Sequence, residues 1–166
     1  MFKQNPDKNN FIKTTFIIYI FCVFIFCLIQ VIDYSIVRPI DITDIDENNI
    51  VEWEIDMVNI DSHYIAIGGY AFILNEKLTK FDVNVILENS ETKEAIILPT
   101  MLYVREDLNE IFPDGTDYSQ YGFLSRVNKY LIDYENNSYE IYLKYFNNEH
   151  SFFIKANMIL NEFSGE

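Results

Sequence analysis

The sequence predicts an all-β domain, an antiparallel sandwich of about seven strands, preceded by one N-terminal transmembrane α-helix. Three observations predict it. Phe16 to Ile32 runs for seventeen residues without a formal charge. From Ile50 onward apolar residues alternate with polar ones, the period of a strand with one face in water. Between those strands no amphipathic helical pattern of useful length occurs.

With Thr14 and Thr15 the uncharged run reaches nineteen residues. At about 1.5 Å per residue a helix of that length spans roughly 28 Å, close to the hydrocarbon core of a bilayer. A soluble helix that is apolar all round would need a larger protein to enclose it than 166 residues provide. The run also exceeds the core of a secretory signal, about 7 to 15 residues. The exit Gln30, Val31, Ile32, Asp33, Tyr34, Ser35 offers no small-residue cleavage pattern, so an uncleaved anchor over 14–32 is expected. Cys22 and Cys27 lack the small residues that precede a lipoprotein cysteine and read as apolar fillers.

The flanks orient this helix. Lys3, Lys8 and Lys13 stand before it, whereas the residues that follow carry Arg38 against Asp33, Asp41, Asp44, Asp46 and Glu47. The positive-inside rule then makes residues 1–13 a cytoplasmic tail and exports the C-terminal part of a single-pass cell-membrane protein. Nine basic and 25 acidic residues follow the helix, a net charge of −16. That charge repels phosphate backbones and anionic lipid head groups, so nucleic acid is not an expected partner. The exported part has no cysteine, so its stability must come from a core. The 116 residues from Asn48 to Phe163 suffice for one. Abundant Ile, Asn, Lys and Tyr suggest, by association, a bacterium with an AT-rich genome.

Residues 33–49 read as an acidic linker, extended at Pro39 and stiffened by mutual repulsion of its acids. Asp44, Asp46 and Asn48 alternate like the start of a calcium loop, but Asn49 stands where the turn needs Gly and Ile55 where the bidentate Glu should fall. A solvated linker is the expectation.

The extracytoplasmic domain is expected over 50–163. Val51, Trp53, Ile55 and Met57 form the buried face of a first strand, with Glu52, Glu54, Asp56 and Val58 in water. Tyr64 to Leu74 is almost wholly apolar and contains Gly68 and Gly69, which predicts a central strand that another backbone or large ring approaches closely. A turn at Asn75, Glu76 and Lys77 leads to Phe81, Val83, Val85 and Leu87. Asn89 to Lys93 then makes a hairpin to one strand over Ala95–Val104, an edge strand or a bulged one because of Pro99. Arg105 to Tyr121 is a long loop with one helical turn near Leu108 to Ile111, of the length at which loops are often functional. Gly122 to Val127, Tyr139 to Tyr145 and Ser151 to Leu160 complete the strands, the last two joined at Asn147, Asn148 and Glu149. An immunoglobulin-like order is the natural arrangement of so many short strands.

Gly69, Tyr70, Ala71, Phe72 and Ile73, then Arg105, Glu106, Asp107 and Leu108, then Gly122 and Phe123, and finally Tyr139, Glu140, Ile141 and Tyr142 form a set of short motifs. Together they resemble a small β-sandwich domain of bacterial cell-surface polysaccharide systems, which sits beside glycosyltransferases or on membrane anchors. The resemblance covers roughly residues 50–160 and departs at Tyr70, where that family often has Trp. It implies an accessory or binding module rather than a catalyst, and supplies no binding residues.

His63 and His150 each adjoin a serine, Ser62 and Ser151, at expected strand starts, where neighbouring side chains point to opposite faces and no nucleophile elbow exists. Two histidines without cysteine argue against zinc, and no cofactor is expected. Twenty-five acids guarantee chance carboxylate pairs, so glycoside hydrolysis is not inferred. For ligand binding, Tyr103, Tyr118, Tyr121 and Tyr130 are candidates to stack on sugar rings, with Asp114, Asp117 and Asn128 to bond hydroxyls. Tyr70 is assigned a structural part, and Arg105 and Asp107 brace the long loop as a pair two residues apart. The expected function is non-catalytic: a membrane-anchored module that binds or assists cell-surface polysaccharide. The alternative is a protein-interaction subunit of an envelope or secretion complex.

Overall fold

The computed structural model describes residues 6–42, 50–76, 80–147 and 150–163, the side chains of 6–12, 30–35 and 150 excepted. The chain forms two compact units, Met1–Ser35 and Ile36–Glu166.

The first unit is helix α1, Pro6–Ser35. Proline suits a helix start because its missing N–H has no partner there in any case. No glycine or further proline interrupts the helix. It is longer than the expected 14–32, taking in part of the expected tail and the first linker residues. From Lys13 to Ile29 every side chain is exposed. Among the described residues no helix is long and apolar enough to cross a membrane, and positions 30–32 of the expected span lie outside the described side chains.

The second unit is built of antiparallel sheets, as the alternation predicts, with few helices. Its strands are β1 Arg38–Ile40, β2 Val51–Ile60, β3 Tyr64–Ile73, β4 Phe81–Asn89, β5 Ala95–Ile97, β6 Thr100–Tyr103, β7 Gly122–Asn128, β8 Tyr139–Asn147 and β9 His150–Ile159. One sheet runs β1-β5-β4-β8-β9 and the other β2-β3-β7-β6. Among the described residues nine strands form where about seven are expected, for two reasons. Arg38–Ile40, inside the expected linker, pairs with Ala95–Ile97 and so joins the folded unit. The expected single strand over 95–104 is two: at Leu98 and Pro99 the chain leaves one sheet and enters the other. The corner is held by Thr100, whose hydroxyl donates to the Leu98 carbonyl and accepts from the Val85 N–H, 3.1 Å each.

The inner faces meet in one core. Ile65, Ile67, Ala71, Phe123 and Val127 come from the four-stranded sheet, and Val83, Val85, Leu87, Ile141 and Leu143 from the other. Burial of each large aliphatic or aromatic side chain contributes about 1.5–3 kcal/mol, which replaces the disulfides the unit lacks. A β-bulge corrects the expected phase of β2. Ile55 opposes Gly69 and Met57 opposes Gly68, so Asp56 is an extra residue. One extra residue reverses which face follows. Met57, expected inside, is exposed, and Val58, expected in water, packs against the core. The calcium-like positions Asp44, Asp46 and Asn48 and the turn residues Lys77, Asn148 and Glu149 lie outside the described residues.

Candidate interaction face

The bulge and the segment 104–121 together shape the outer face of the β2-β3-β7-β6 sheet. At the bulge the β2 backbone comes so close to β3 that a Cβ on Gly69 would lie 1.9 Å from the Glu54 carbonyl oxygen. Only glycine fits there. Asp56 lies at this bulge on the outer face, where its Oδ2 accepts from Nη1 of Arg105 at 2.7 Å. Arg105 also donates from Nε and Nη2 to the two oxygens of Asp107, at 2.8 and 2.6 Å. Its stem crosses Gly122, where a Cβ would meet Arg105 Cγ at 2.5 Å. The guanidinium therefore ties three parts of the chain together, with its charged form held more firmly than usual by the bonds to Asp107 and then Asp56. The same contact holds the Asp107 carboxyl below its ordinary range. Beside it the Tyr70 hydroxyl donates to Glu54 at 3.0 Å. Burial and that carboxylate push the phenol up to about 12.

Beyond this clamp the chain folds over Phe72. Helix α2, Leu108–Ile111, brings in Leu108. Tyr118 stacks on Phe72 at 4.3 Å, and Phe112 meets it edge-on at 4.9 Å. Offset and edge contacts of this kind stabilise beyond simple burial. The segment expected to be a ligand loop is thus a second, aromatic core on the outer face.

The residues expected to bind sugar have the following places in the fold. Tyr118 and Tyr121 are buried, and their rings face Phe72 and Phe81 rather than solvent. The Tyr118 hydroxyl donates to Asp114 at 2.6 Å and accepts from the Asn75 N–H at 2.8 Å. Asp117 accepts from Asn109 and from the Ser119 N–H, and these bonds draw its carboxyl down to about 2. Both acids lock the loop. Asn128 caps a short 3-10 turn, Lys129–Leu131, by accepting from the Tyr130 N–H. Tyr103 and Tyr130 are exposed, but Tyr103 pairs with Gly122 at the start of β7 and Tyr130 follows its end. The length of β7 separates them by roughly 20 Å. The tyrosines do not converge.

The histidine reading also changes. Ser62 and His63 lie in the turn between β2 and β3, not at a strand start, and Ser62 Oγ is 2.6 Å from His63 Nδ1. Asp61, the nearest acid in sequence, accepts from the backbone N–H groups of His63 and Tyr64. It shapes the turn and does not orient the ring. The side chain of His150 lies outside the described residues. Among the described residues no three His, Cys, Asp or Glu side chains come together as a metal site. An open concavity of about 740 Å³ lies between Pro39–Ile42 and Lys93–Ile96, with Glu88 and Lys93 paired across it at 3.2 Å.

Sequence reasoning missed the most exposed apolar run of the sandwich. Met101 (53 %), Leu102 (40 %), Tyr103 (37 %) and Val104 (54 %) lie along β6 and its exit. Met57 and the half-buried Leu124 lie on the same outer face, over Gly68. The signal was five consecutive residues, Thr100 to Val104, without a charge, directly after a proline. Comparison of the chain with protein families, with curated proteins and with solved structures finds no match.

Proposed function

We propose that this chain is a non-catalytic protein-interaction module of the bacterial envelope, held at the membrane by its N-terminal helix with the sandwich outside. The observation that carries the reading is the contiguous apolar run Met101–Val104 on a sheet edge. Contiguous exposed apolar surface of this kind is often an interaction site. Three further features support it. The described α1 side chains expose Phe, Ile, Val and Leu all round, which water penalises and lipid does not. Lysines precede the apolar run and acids follow it. The strand orders β2-β3-β7-β6 and β1-β5-β4-β8-β9 are compatible with an immunoglobulin-like sandwich carrying two added strands, β1 and β5, a fold common in surface recognition.

The polysaccharide reading stands second. It keeps the exposed rings of Tyr103 and Tyr130 but loses the other two to the aromatic core. Alkaline carbonate extraction of membranes, followed by crosslinking of whole cells, tests the first reading. The full chain is expected to stay in the pellet and to form one discrete adduct with another envelope protein. A chain released by carbonate, or one that runs alone while binding purified cell-wall glycan, overturns it.

A further inference from the structure

Among the described residues the two sheets end in four edge strands: β1, β9, β2 and β6. An open edge presents unpaired backbone groups, and proteins ordinarily blunt it with charge, proline or a bulge. Three of these edges are blunted. β1 is three residues long and contains Arg38 and Pro39. β9 carries Lys155, a register break opposite Glu140 and Tyr142, and Asn157 at φ 54°. β2 carries Glu52, Glu54 and the Asp56 bulge. β6 is also short, four residues directly after Pro99, but it carries no charge and no bulge: Thr100, Met101, Leu102 and Tyr103 pair with β7 in unbroken register, and Val104 follows.

Exposure along β6 falls on both faces. Met101 and Tyr103 oppose Leu124 and Gly122 on the outer face, whereas Leu102 opposes Phe123, a core residue. A partner lying flat on the outer face would cover the first two and leave Leu102 in water. A strand laid alongside β6 covers all three and satisfies the open backbone groups as well. We propose that β6 receives an extended segment of a different protein by strand addition, and that this segment alternates apolar residues with Lys or Arg.

Charge selects the occupant. Residues 36–166 hold nine basic and 24 acidic side chains, a net charge of −15. Lys93, Arg105, Lys129 and Lys155 are already in ion pairs. The segment leaving β6 begins with Arg105, paired with Asp56 and Asp107, and adds Glu106, Glu110, Asp114 and Asp117. A second copy brings like charge to this edge, whereas a basic segment is attracted and steered to it. The proposal rests on the interaction-module reading above.

The test uses the full chain, isotope-labelled in detergent micelles, and three ten-residue peptides: alternating Val and Lys, alternating Val and Glu, and the Val/Lys peptide N-methylated at alternate residues. The Val/Lys peptide is expected to slow exchange at alternate amides within Thr100–Val104 at least tenfold, and the other two to bind at least tenfold more weakly. Met101→Lys is expected to weaken binding at least tenfold with an unchanged melting temperature. Protection that maps to β2 or to 105–121, or equal binding of the methylated peptide, overturns the proposal without reference to any variant. A photocrosslinking residue at position 101, and separately at position 59 on β2, then separates the two readings in native membranes. Adducts with another protein from position 101 support strand addition. Adducts from position 59 alone overturn it and leave the interaction module standing. No protein adduct from either position overturns both, and an adduct between two copies of the chain overturns the choice of occupant.

Discussion

Asp56 Oδ2 accepts a hydrogen bond from Arg105 Nη1 at 2.7 Å across 49 residues of sequence, and so joins the bulge of β2 to the segment that leaves β6. Strict alternation puts Asp56 on the outer face with Glu52 and Glu54, and the bulge changes the phase of the strand only from Met57 onward. Both side chains are largely covered, at 16 % and 31 % exposure. Asp56→Ala is therefore expected to lower stability by about 1 kcal/mol, in the range of partly buried charged hydrogen bonds. A double-mutant cycle with Arg105→Ala, followed by urea unfolding, should show coupling of about 1 kcal/mol. Strict additivity would mean that the pair contributes nothing.

Gly69 is the steric condition for that bulge. A Cβ there meets the Glu54 oxygen at 1.9 Å, and the obstacle is backbone that cannot rotate away. Gly69→Ala is expected to cost about 3 kcal/mol or more, with the overpacking accommodated only by rebuilding β2. Gly115 offers the contrast. Its φ is +92° and nothing lies within 4 Å of its Cβ position, so Gly115→Ala meets backbone strain alone, about 1 kcal/mol. Thermal unfolding of the two variants would reverse this order only if the bulge were absent.

What the sequence shows and hides follows from whether a feature is periodic. The alternations at Phe81–Leu87 and Tyr139–Tyr145 are long and regular, and they appear as β4 and β8 in register with each other. The bulge is a single extra residue inside an unbroken alternation, so nothing local announces it and Met57 reads as core. The apolar run 95–104 hides a change of sheet, because a buried corner needs the same residues as a buried strand. Pro99 hints at an irregularity there but not at which kind. Tyr118 and Tyr121 read as ligand residues because they sit among turn formers, and only the fold over Phe72 reveals that their loop has a core of its own.

Acid should unfold the sandwich by releasing that loop. Asp117 is drawn to about 2 by Asn109 and Ser119, Asp114 is lowered chiefly by the Tyr118 hydroxyl, and Asp107 chiefly by Arg105. A carboxylate whose folded pKa lies below its unfolded value of about 3.9 contributes stability that is complete above the unfolded pKa and is lost as pH falls through the folded one. Urea midpoints are thus expected to fall steeply from about pH 4 to pH 2. Asp117→Asn should flatten that limb. The high net negative charge acts in the opposite sense above it, so stability should rise slightly from pH 7 to about pH 5 as repulsion weakens. A flat profile between pH 4.5 and 2.5 would show that the loop carboxylates are equally bonded in the unfolded chain.

Two fully buried tyrosines should respond oppositely to loss of their hydroxyls. The Tyr118 oxygen donates to Asp114 and accepts from the Asn75 N–H. Tyr118→Phe removes both bonds, leaving the Asn75 N–H without this acceptor and Asp114 without this donor, and a melting temperature lower by about 3–6 °C is expected. The Tyr145 oxygen is buried in the main core with no hydrogen-bond partner among the described residues, and burial pushes its phenol up. Desolvating a hydroxyl without replacing its bonds to water is a cost that phenylalanine does not incur. Tyr145→Phe should leave the melting temperature unchanged or raise it by about 3 °C, because ring packing is conserved and only the unsatisfied atom is removed. A fall of the size expected for Tyr118→Phe would instead demonstrate a bonded hydroxyl, and with it an ordered water in the core beside β8.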